Sequence, residues 1–322
     1  MIKILVITPT SHLKSTRENL ESIGQVHYLE NATITQFKKV IPNFDAIFTN
    51  PNKSNIFLGK NALAAAKKLK VICTASTGTN HVDKKYLISK GIQLISITEE
   101  RNVIRKISST AEHAFALTLT SLRNIIPSYN SVKNGEWDYV PFIGRQISNL
   151  TFGVIGYGRL GSLYSDYCLA FGSKVIVYDP YKTVYRPGVN QVDNLESLLS
   201  ESDVISLHVH VNEETTNLIN CKTLKYCKND VLIVNSSRGE IVNEKDLIDF
   251  LKLNFKSKYS TDVLANETFD RKNSEIYSHM TKSNQIIITP HIAGMTYEAQ
   301  EMAFNHASKL LIKYFKKNES IS

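Results

Sequence analysis

Short apolar runs alternate along the chain with stretches whose apolar positions recur at helical spacing, the pattern of parallel α/β layers. In the first hundred residues the apolar runs predict strands at Ile2–Ile7, Ala46–Thr49, Lys70–Thr74 and Gln93–Ile97, with helix between them, notably over Asn61–Lys68. A long helix is expected from Ser109, capped by Ser109 or Thr110, with Glu112 in its first turn and AEHAFALTLTSLRNI as its body. An apolar strand then leads into a glycine-rich turn at Gly156, and further strands are expected at Lys174–Tyr178, Val204–His208, Val231–Val234, Lys258–Asp262 and Ile286–Thr289. These complete one doubly wound sheet near Pro290. The last helix, Tyr297–Phe315, is left over, and the simplest arrangement returns it to the N-terminal domain. The expected fold class is therefore α/β, with two Rossmann-like or flavodoxin-like parallel-sheet domains, one inserted into the other. Residues 1–107 and 293–322 form the outer domain and 108–292 the inserted one, with crossings near Ser108 and His291 and the active cleft between the domains.

Composition is compatible with this plan. The 322 residues, 42% hydrophobic, can bury two cores. The N-terminal MIKILVITPT has an apolar run of only Ile4–Ile7 and no small-residue cleavage site, so it reads as a first buried strand and not a signal peptide. No apolar stretch approaches the roughly 20 residues needed to span a bilayer. Cys73, Cys168, Cys221 and Cys227 form no CxxC pair, which points to reduced thiols of a cytoplasmic protein and to no metal site. The net charge of +8 raises the question of nucleic acid. Its densest cluster, Lys309, Lys313, Lys316 and Lys317, lies on the terminal helix without any nucleic-acid motif, so a solvated helix face is expected, with no nucleic-acid or membrane partner. The charge can still draw in an anionic substrate.

The glycine turn carries the most specific chemistry. In FGVIGYGRLGSLYSDYCLAFGSKVIVYD, residues 152–179, Gly156 permits the tight turn, Gly158 admits a pyrophosphate close to the backbone, and Gly161 lets the helix pack on the sheet. The amides of Arg159 and Leu160 then face the phosphates at the positive end of the helix. Asp179, 18 residues past Gly161, ends the next strand, where its carboxylate can accept the ribose hydroxyls of NAD and would repel the 2′-phosphate of NADP. Strand, turn, helix, strand and acid in this order indicate an NAD site in domain 108–292; a bare glycine motif could be a structural turn.

Three further segments sit just beyond expected strands, where open parallel sheets place ligands. LIVNSSRGEIV puts Arg238 in a turn, and its planar guanidinium can hold a carboxylate through two parallel hydrogen bonds. YSTDVLANETF has Asp262 at a strand end and Glu267 five residues on. ITPHIAGMT places His291 at a strand-to-loop junction. Reducing a ketone requires a proton on oxygen as hydride reaches carbon, which histidine is suited to supply near neutral pH. An adjacent carboxylate would stabilise its imidazolium.

Over nearly its full length the chain resembles the D-isomer-specific 2-hydroxyacid dehydrogenases, and its STGTNHVD turn is more like that of the 3-phosphoglycerate dehydrogenase type than that of lactate- or formate-type members. STGTNHVD at 76–83, AEH at 111–113, GVIGYGRLG at 153–161, DVISLHVHVNEET at 203–215, VNSSRG at 234–239, DV with Glu267 at 262–267 and TPHIAG at 289–294 carry the resemblance. It implies that Arg238 orients the substrate carboxylate and carbonyl, that His291 is the general acid/base and that Glu267 raises its basicity. It also implies that Asp262 holds the nicotinamide amide, that His208 and Ser236 join the cofactor contacts, and that Thr77 and Gly78 offer amides to the substrate carboxylate from the other domain. The implied reaction is hydride transfer between NADH and a 2-oxo acid to give a D-2-hydroxy acid. The implied assembly is a homodimer joined through Ser109–Ile147.

Departures from the family pattern are Thr268 in place of a proline after Glu267, His210 in place of a proline after His208, and a longer charged stretch between Gly91 and Glu112. In that stretch Arg101, Arg105 and Lys106 either meet a second anionic group, as on a phosphorylated or sugar-derived acid, or form a solvated hinge loop at the cleft mouth. The sequence stops at Ser322, from which no appended regulatory domain is expected. The alternative to an enzyme is a non-catalytic NAD-sensing module like the family's corepressors; formate oxidation is a weaker option, since it has no use for the Glu–His pair.

Overall fold

The computed structural model describes residues 1–51, 56–265, 267 and 274–319. They fall into two compact units, Met1–Ile107 with Gly294–Ser322, and Ser108–Ala293.

In the first unit β1 (Ile2–Val6), β2 (Gly24–Tyr28), β3 (Ala46–Thr49), β4 (Val71–Thr74) and β5 (Gln93–Ser96) pair in the order β2-β1-β3-β4-β5. All pairs are parallel, in the flavodoxin-like order. β3 and β4 are buried at every residue, as expected of parallel strands covered on both faces. β2 is absent from the expected strands because GQVHY lies at the sheet edge, alternates between partial burial and exposure, and offers no apolar run. The helix expected over Asn61–Lys68 is shortened to Lys60–Leu63. Beyond it, bonds from Ala66 N to Leu63 O and from Leu69 N to Ala66 O turn the chain, burying Leu69 just before β4. The final helix, Tyr297–Glu319, packs a stripe of Ala303, Phe304, Ala307, Leu311 and Phe315 against Ile4, Val6 and Phe48.

The charged stretch before residue 108 is more ordered than a hinge loop. It forms a short helix, Arg101–Ile104, with Ile104 and Ile107 packed on the same core and His306 Nε2 2.7 Å from Glu100 Oε2. Arg101, Arg105 and Lys106 remain exposed.

The second unit contains β6 (Thr151–Ile155), β7 (Lys174–Tyr178), β8 (Val189–Gln191), β9 (Val204–Leu207), β10 (Leu232–Asn235), β11 (Lys258–Thr261) and β12 (Ile286–Ile288). They form one sheet in the order β12-β11-β10-β9-β6-β7-β8, parallel throughout. This is the Rossmann order, whose direction switches between β6 and β9. β8 escapes a sequence reading because only Val189 of its three residues is buried. Helices Ser109–Leu122 and Arg159–Ala170 supply Phe115, Leu117, Tyr164 and Cys168 to one apolar cluster, while Leu195–Glu201 and Glu244–Leu253 supply Leu198, Leu199, Leu247 and Leu251 to another. The N-cap position of the first of these helices is Ser108 and not Ser109 or Thr110; Ser109 is already helical and buried, and the Ser108 hydroxyl makes no capping bond to the backbone but donates to the Glu112 carboxylate.

The turn after β10 runs hard against the backbone leaving β11. A Cβ on Gly239 would lie 2.0 Å from the Leu264 carbonyl carbon and 2.1 Å from Ala265 N. Gly239→Ala is therefore expected to destabilise the second unit by about 1–3 kcal/mol. A thermal or urea melt reads this directly, and an unchanged midpoint would show that the two segments can separate at no cost.

Candidate active site

The register of the second sheet assembles most of the candidate residues. Tyr178, Ile155, Leu207, Asn235, Thr261 and Ile288 are paired in one row across β7, β6, β9, β10, β11 and β12. The residues that follow them directly are Asp179, Gly156, His208, Ser236, Asp262 and Thr289. Several extend the ladder by one bond, from Gly156 N to Tyr178 O, His208 N to Ile155 O, Asp262 N to Asn235 O and Thr289 N to Thr261 O. One edge of the sheet thus carries the glycine turn, both acids and the entry to His291.

At the switch point the glycine turn has the form a dinucleotide requires. Gly156 has φ 88°, and a Cβ there would meet His208 O at 2.7 Å. A Cβ on Gly161 would lie 2.1 Å from Gly156 O, whereas one on Gly158 would meet nothing within 4 Å, so the turn is open on its outer side. Gly158 precedes the helix that begins with Arg159, Leu160 and Gly161, whose first-turn N–H groups have no intrahelical acceptors. Asp179 is fixed by Tyr157 N on one oxygen at 2.9 Å and Tyr181 N on the other at 3.0 Å. On the same row, Ser236 Oγ and His208 Nδ1 are buried and make no hydrogen bond among the described residues. Buried polar atoms normally find a partner, so an open turn beside two orphaned atoms fits a bound dinucleotide. His208 Nε2 lies 2.9 Å from Ser206 Oγ, its ring packs on Tyr164, and burial pushes its pKa down to about 3.

Beyond β10 the buried Asn235 side chain shapes the turn, accepting from Ser237 N at 3.0 Å and donating to Arg238 O at 2.8 Å. Ser237 Oγ donates to Leu207 O, and Arg238 Nη1 donates to Ser237 O at 2.6 Å. Arg238 is half-buried, and no carboxylate pairs with it among the described residues.

Glu267 and His291 meet, with Nδ1 2.6 Å from Glu267 Oε1. The second Glu267 oxygen accepts from Leu264 N. A carboxylate accepts, so Nδ1 carries the proton of this bond and proton exchange falls to Nε2. His291 adopts φ 55°, a left-handed conformation sparsely populated by residues other than glycine.

Asp262, expected on the nicotinamide amide, is engaged within the chain. Its side chain is fully buried, and its oxygens accept from Ile292 N at 2.9 Å, Ala293 N at 2.8 Å and Thr289 Oγ1 at 2.5 Å, with His113 Nε2 at 3.5 Å. Burial works to raise its pKa, but the bonds from His113, Thr289, Ala293 and Ile292 outweigh it and hold the carboxyl below the ordinary range. In this conformation the carboxylate holds the chain around His291. Sequence reasoning missed His113 and Gly239 as supports of the site, although AEH and VNSSRG contain both. Thr268 lies outside the described residues.

Thr77 and Gly78 belong to the first unit. Thr98 Oγ1 donates to Thr77 O at 2.9 Å and Ser76 Oγ to Gly78 O at 2.7 Å. Their carbonyls are thereby held, and their N–H groups make no hydrogen bond among the described residues.

A Rossmann sheet with a glycine turn at its switch point and a fixed acid at the neighbouring strand end defines an NAD-binding α/β protein. Residues 115–293 match the profile of the D-isomer specific 2-hydroxyacid dehydrogenase NAD binding domain. The chain belongs to the D-isomer specific 2-hydroxyacid dehydrogenase family. It is 34% identical over 303 residues to D-3-phosphoglycerate dehydrogenase of Archaeoglobus fulgidus, covering 93% of this chain and 54% of that enzyme. It is 31% identical over 290 residues to hydroxypyruvate reductase of Thermotoga maritima, covering 90% of this chain and 89% of that enzyme. The chain spans about half the length of the phosphoglycerate dehydrogenases it matches. Among solved structures, D-lactate dehydrogenase from Aquifex aeolicus, complexed with NAD and lactic acid, is 27% identical with a TM-score of 0.79 over 99% of this chain and 96% of that one.

The His208 environment has a consequence for stability. Its folded pKa of about 3 lies below the ordinary value of 6.5, so the unfolded chain binds the proton first as pH falls, and stability is lost from about 6.5 downward towards 3. His208→Gln, which keeps a polar partner for Ser206, is expected to flatten the fall in melting temperature between about pH 7 and pH 4. Equal slopes for the two proteins would mean that His208 takes up its proton alike in the folded and unfolded chain.

Proposed function

We propose that this chain is an NAD-dependent oxidoreductase that interconverts a 2-oxo acid and a D-2-hydroxy acid. The observation that carries the proposal is the 2.6 Å His291–Glu267 pair at the sheet edge that also bears the glycine turn. Bound NADH would supply the hydride that adds to C2. His291 would give its Nε2 proton to the carbonyl oxygen as that oxygen gains charge, and Glu267 would stabilise the imidazolium before transfer. Arg238, half-buried without a carboxylate partner among the described residues, would hold the substrate carboxylate and carbonyl oxygen through its fork of donors. Gly156, Gly158, Arg159, Leu160 and Gly161 would cradle the pyrophosphate, Asp179 would accept the ribose hydroxyls, and His208 and Ser236 would complete the cofactor contacts. In this reading the second unit is the cofactor domain and the first the substrate domain, with the Thr77 and Gly78 amides on the carboxylate.

For the substrate we propose a phosphorylated or sugar-derived acid such as 3-phosphoglycerate. The D-3-phosphoglycerate dehydrogenase named above acts on a phosphorylated acid by name, and the exposed Arg101, Arg105 and Lys106 offer charge for a second anionic group. We further propose a homodimer formed through the segment 109–147, where Ile125, Ile126, Val132, Trp137, Val140 and Ile143 expose apolar surface. We also propose a cytoplasmic location, in keeping with the four free cysteines. No described helix is long and apolar enough to cross a membrane.

The test is NADH oxidation with 3-phosphohydroxypyruvate, hydroxypyruvate, glyoxylate, pyruvate and 2-oxoglutarate, in wild type and His291→Ala. The variant should lose about 10²- to 10⁴-fold in kcat while NADH binding, read by fluorescence, persists; near-normal turnover would remove His291 from the reaction. Asp179→Ala should erode preference for NADH over NADPH, and an unchanged ratio would mean that another group reads the ribose.

A further inference from the structure

The reacting histidine stands on a turn whose conformation is held from below by a relay of side chains. His113 lies near the start of helix Ser109–Leu122, its side chain mostly buried, and its Nε2 is 2.9 Å from Thr289 Oγ1. The Thr289 hydroxyl has one proton, and its shortest bond, 2.5 Å, gives that proton to Asp262 Oδ1. The hydroxyl must then accept from His113, which fixes the proton of His113 on Nε2. Asp262 in turn accepts from the backbone N–H groups of Ile292 and Ala293. The relay thus grips the chain on both sides of His291, at Thr289 before it and at Ile292 and Ala293 after it.

That grip coincides with the left-handed φ of 55° at His291. The φ of a residue sets where its Cβ points, and here the imidazole points at Glu267. If the turn relaxed towards the ordinary regions of backbone conformation, the ring would swing away from its carboxylate.

We propose that His113 is a positioning residue for His291, acting through Thr289 and Asp262 to hold the left-handed turn that aims the imidazole at Glu267. The inference rests on the reaction proposed above only for its kinetic consequence. His113 contributes the donor that orients the Thr289 hydroxyl. Without it the hydroxyl can rotate towards Thr261 O, already 3.4 Å away, and release Asp262.

The experiment compares wild type, His113→Leu and His113→Gln, whose amide N–H can replace the imidazole donor. Two readouts are taken: steady-state kinetics, and the low-field proton NMR signal of His291 Nδ1–H bound to Glu267, recorded without substrate and identified by its loss in His291→Ala. His113→Leu should lower kcat by about 10- to 100-fold, leave the KM for NADH unchanged, and broaden or remove the low-field signal. His113→Gln should restore both. If His113→Leu fails to fold, the near-isosteric Thr289→Val breaks the same relay and should give the same split.

Retention of kcat and signal in His113→Leu, or parallel loss of NADH affinity and kcat without rescue by Gln, would overturn the proposal. A wild type that reduces no 2-oxo acid, yet whose low-field signal responds to the variants as expected, would uphold the positioning role and overturn the reaction instead.

Discussion

The parallel register of the second sheet is the constraint on which the site depends. Six strands come into line at Tyr178, Ile155, Leu207, Asn235, Thr261 and Ile288, so six segments leave the sheet at one level. Each exit places one element of the candidate site: an acid, a glycine turn, a histidine, a serine, a second acid and the threonine before the turn of His291. A shift of two residues in any one pairing would preserve the buried faces and still carry that element nearly 7 Å along the strand. The apolar clusters on both faces make such slips costly, because the same side chains that fill the core fix the pairing.

The exits differ in how they are finished. After β6 the backbone itself does the work, since Gly156 and Gly161 leave no room for side chains and Gly158 opens outward. After β10 the Asn235 side chain closes a tight turn, and Gly239 lets that turn lie against the chain leaving β11. Gly239, the residue after Arg238, thereby lies directly against Leu264 and Ala265. Neither device uses apolar burial. They rely on close backbone approach and on local side-chain-to-backbone bonds, which offer the backbone partners outside the sheet ladder.

What the sequence reveals follows from the same division. The glycine turn and Asp179 were legible because their chemistry is local: strand, turn, helix and acid lie within 28 residues, 152–179. The central strands were legible because parallel strands buried on both faces read as continuous apolar runs, as β3, β9 and β10 do. The edge strands β2 and β8 were not, because half their side chains face solvent and their pairing comes from neighbours distant in sequence. Asp262 was identified as a site residue, but its inward orientation could not be inferred, since the donors that turn it inward come from residues about 30 positions later and from His113, some 150 positions earlier.

The turn at His291 shows why those distant donors are needed. A non-glycine residue in the left-handed region costs on the order of 1–3 kcal/mol, and relaxation would be spontaneous if nothing opposed it. Hydrogen bonds to a charged group are worth about 1.5–3 kcal/mol each, and Asp262 accepts two from the backbone immediately after His291. Those two bonds are together of a size to offset the cost of the conformation while Asp262 stays ionised. Burial alone would favour its neutral form, and a protonated carboxyl would hold the amides less strongly. The donors that depress its pKa therefore do two things at once: they keep the carboxylate charged, and they make that charge available to fix the histidine.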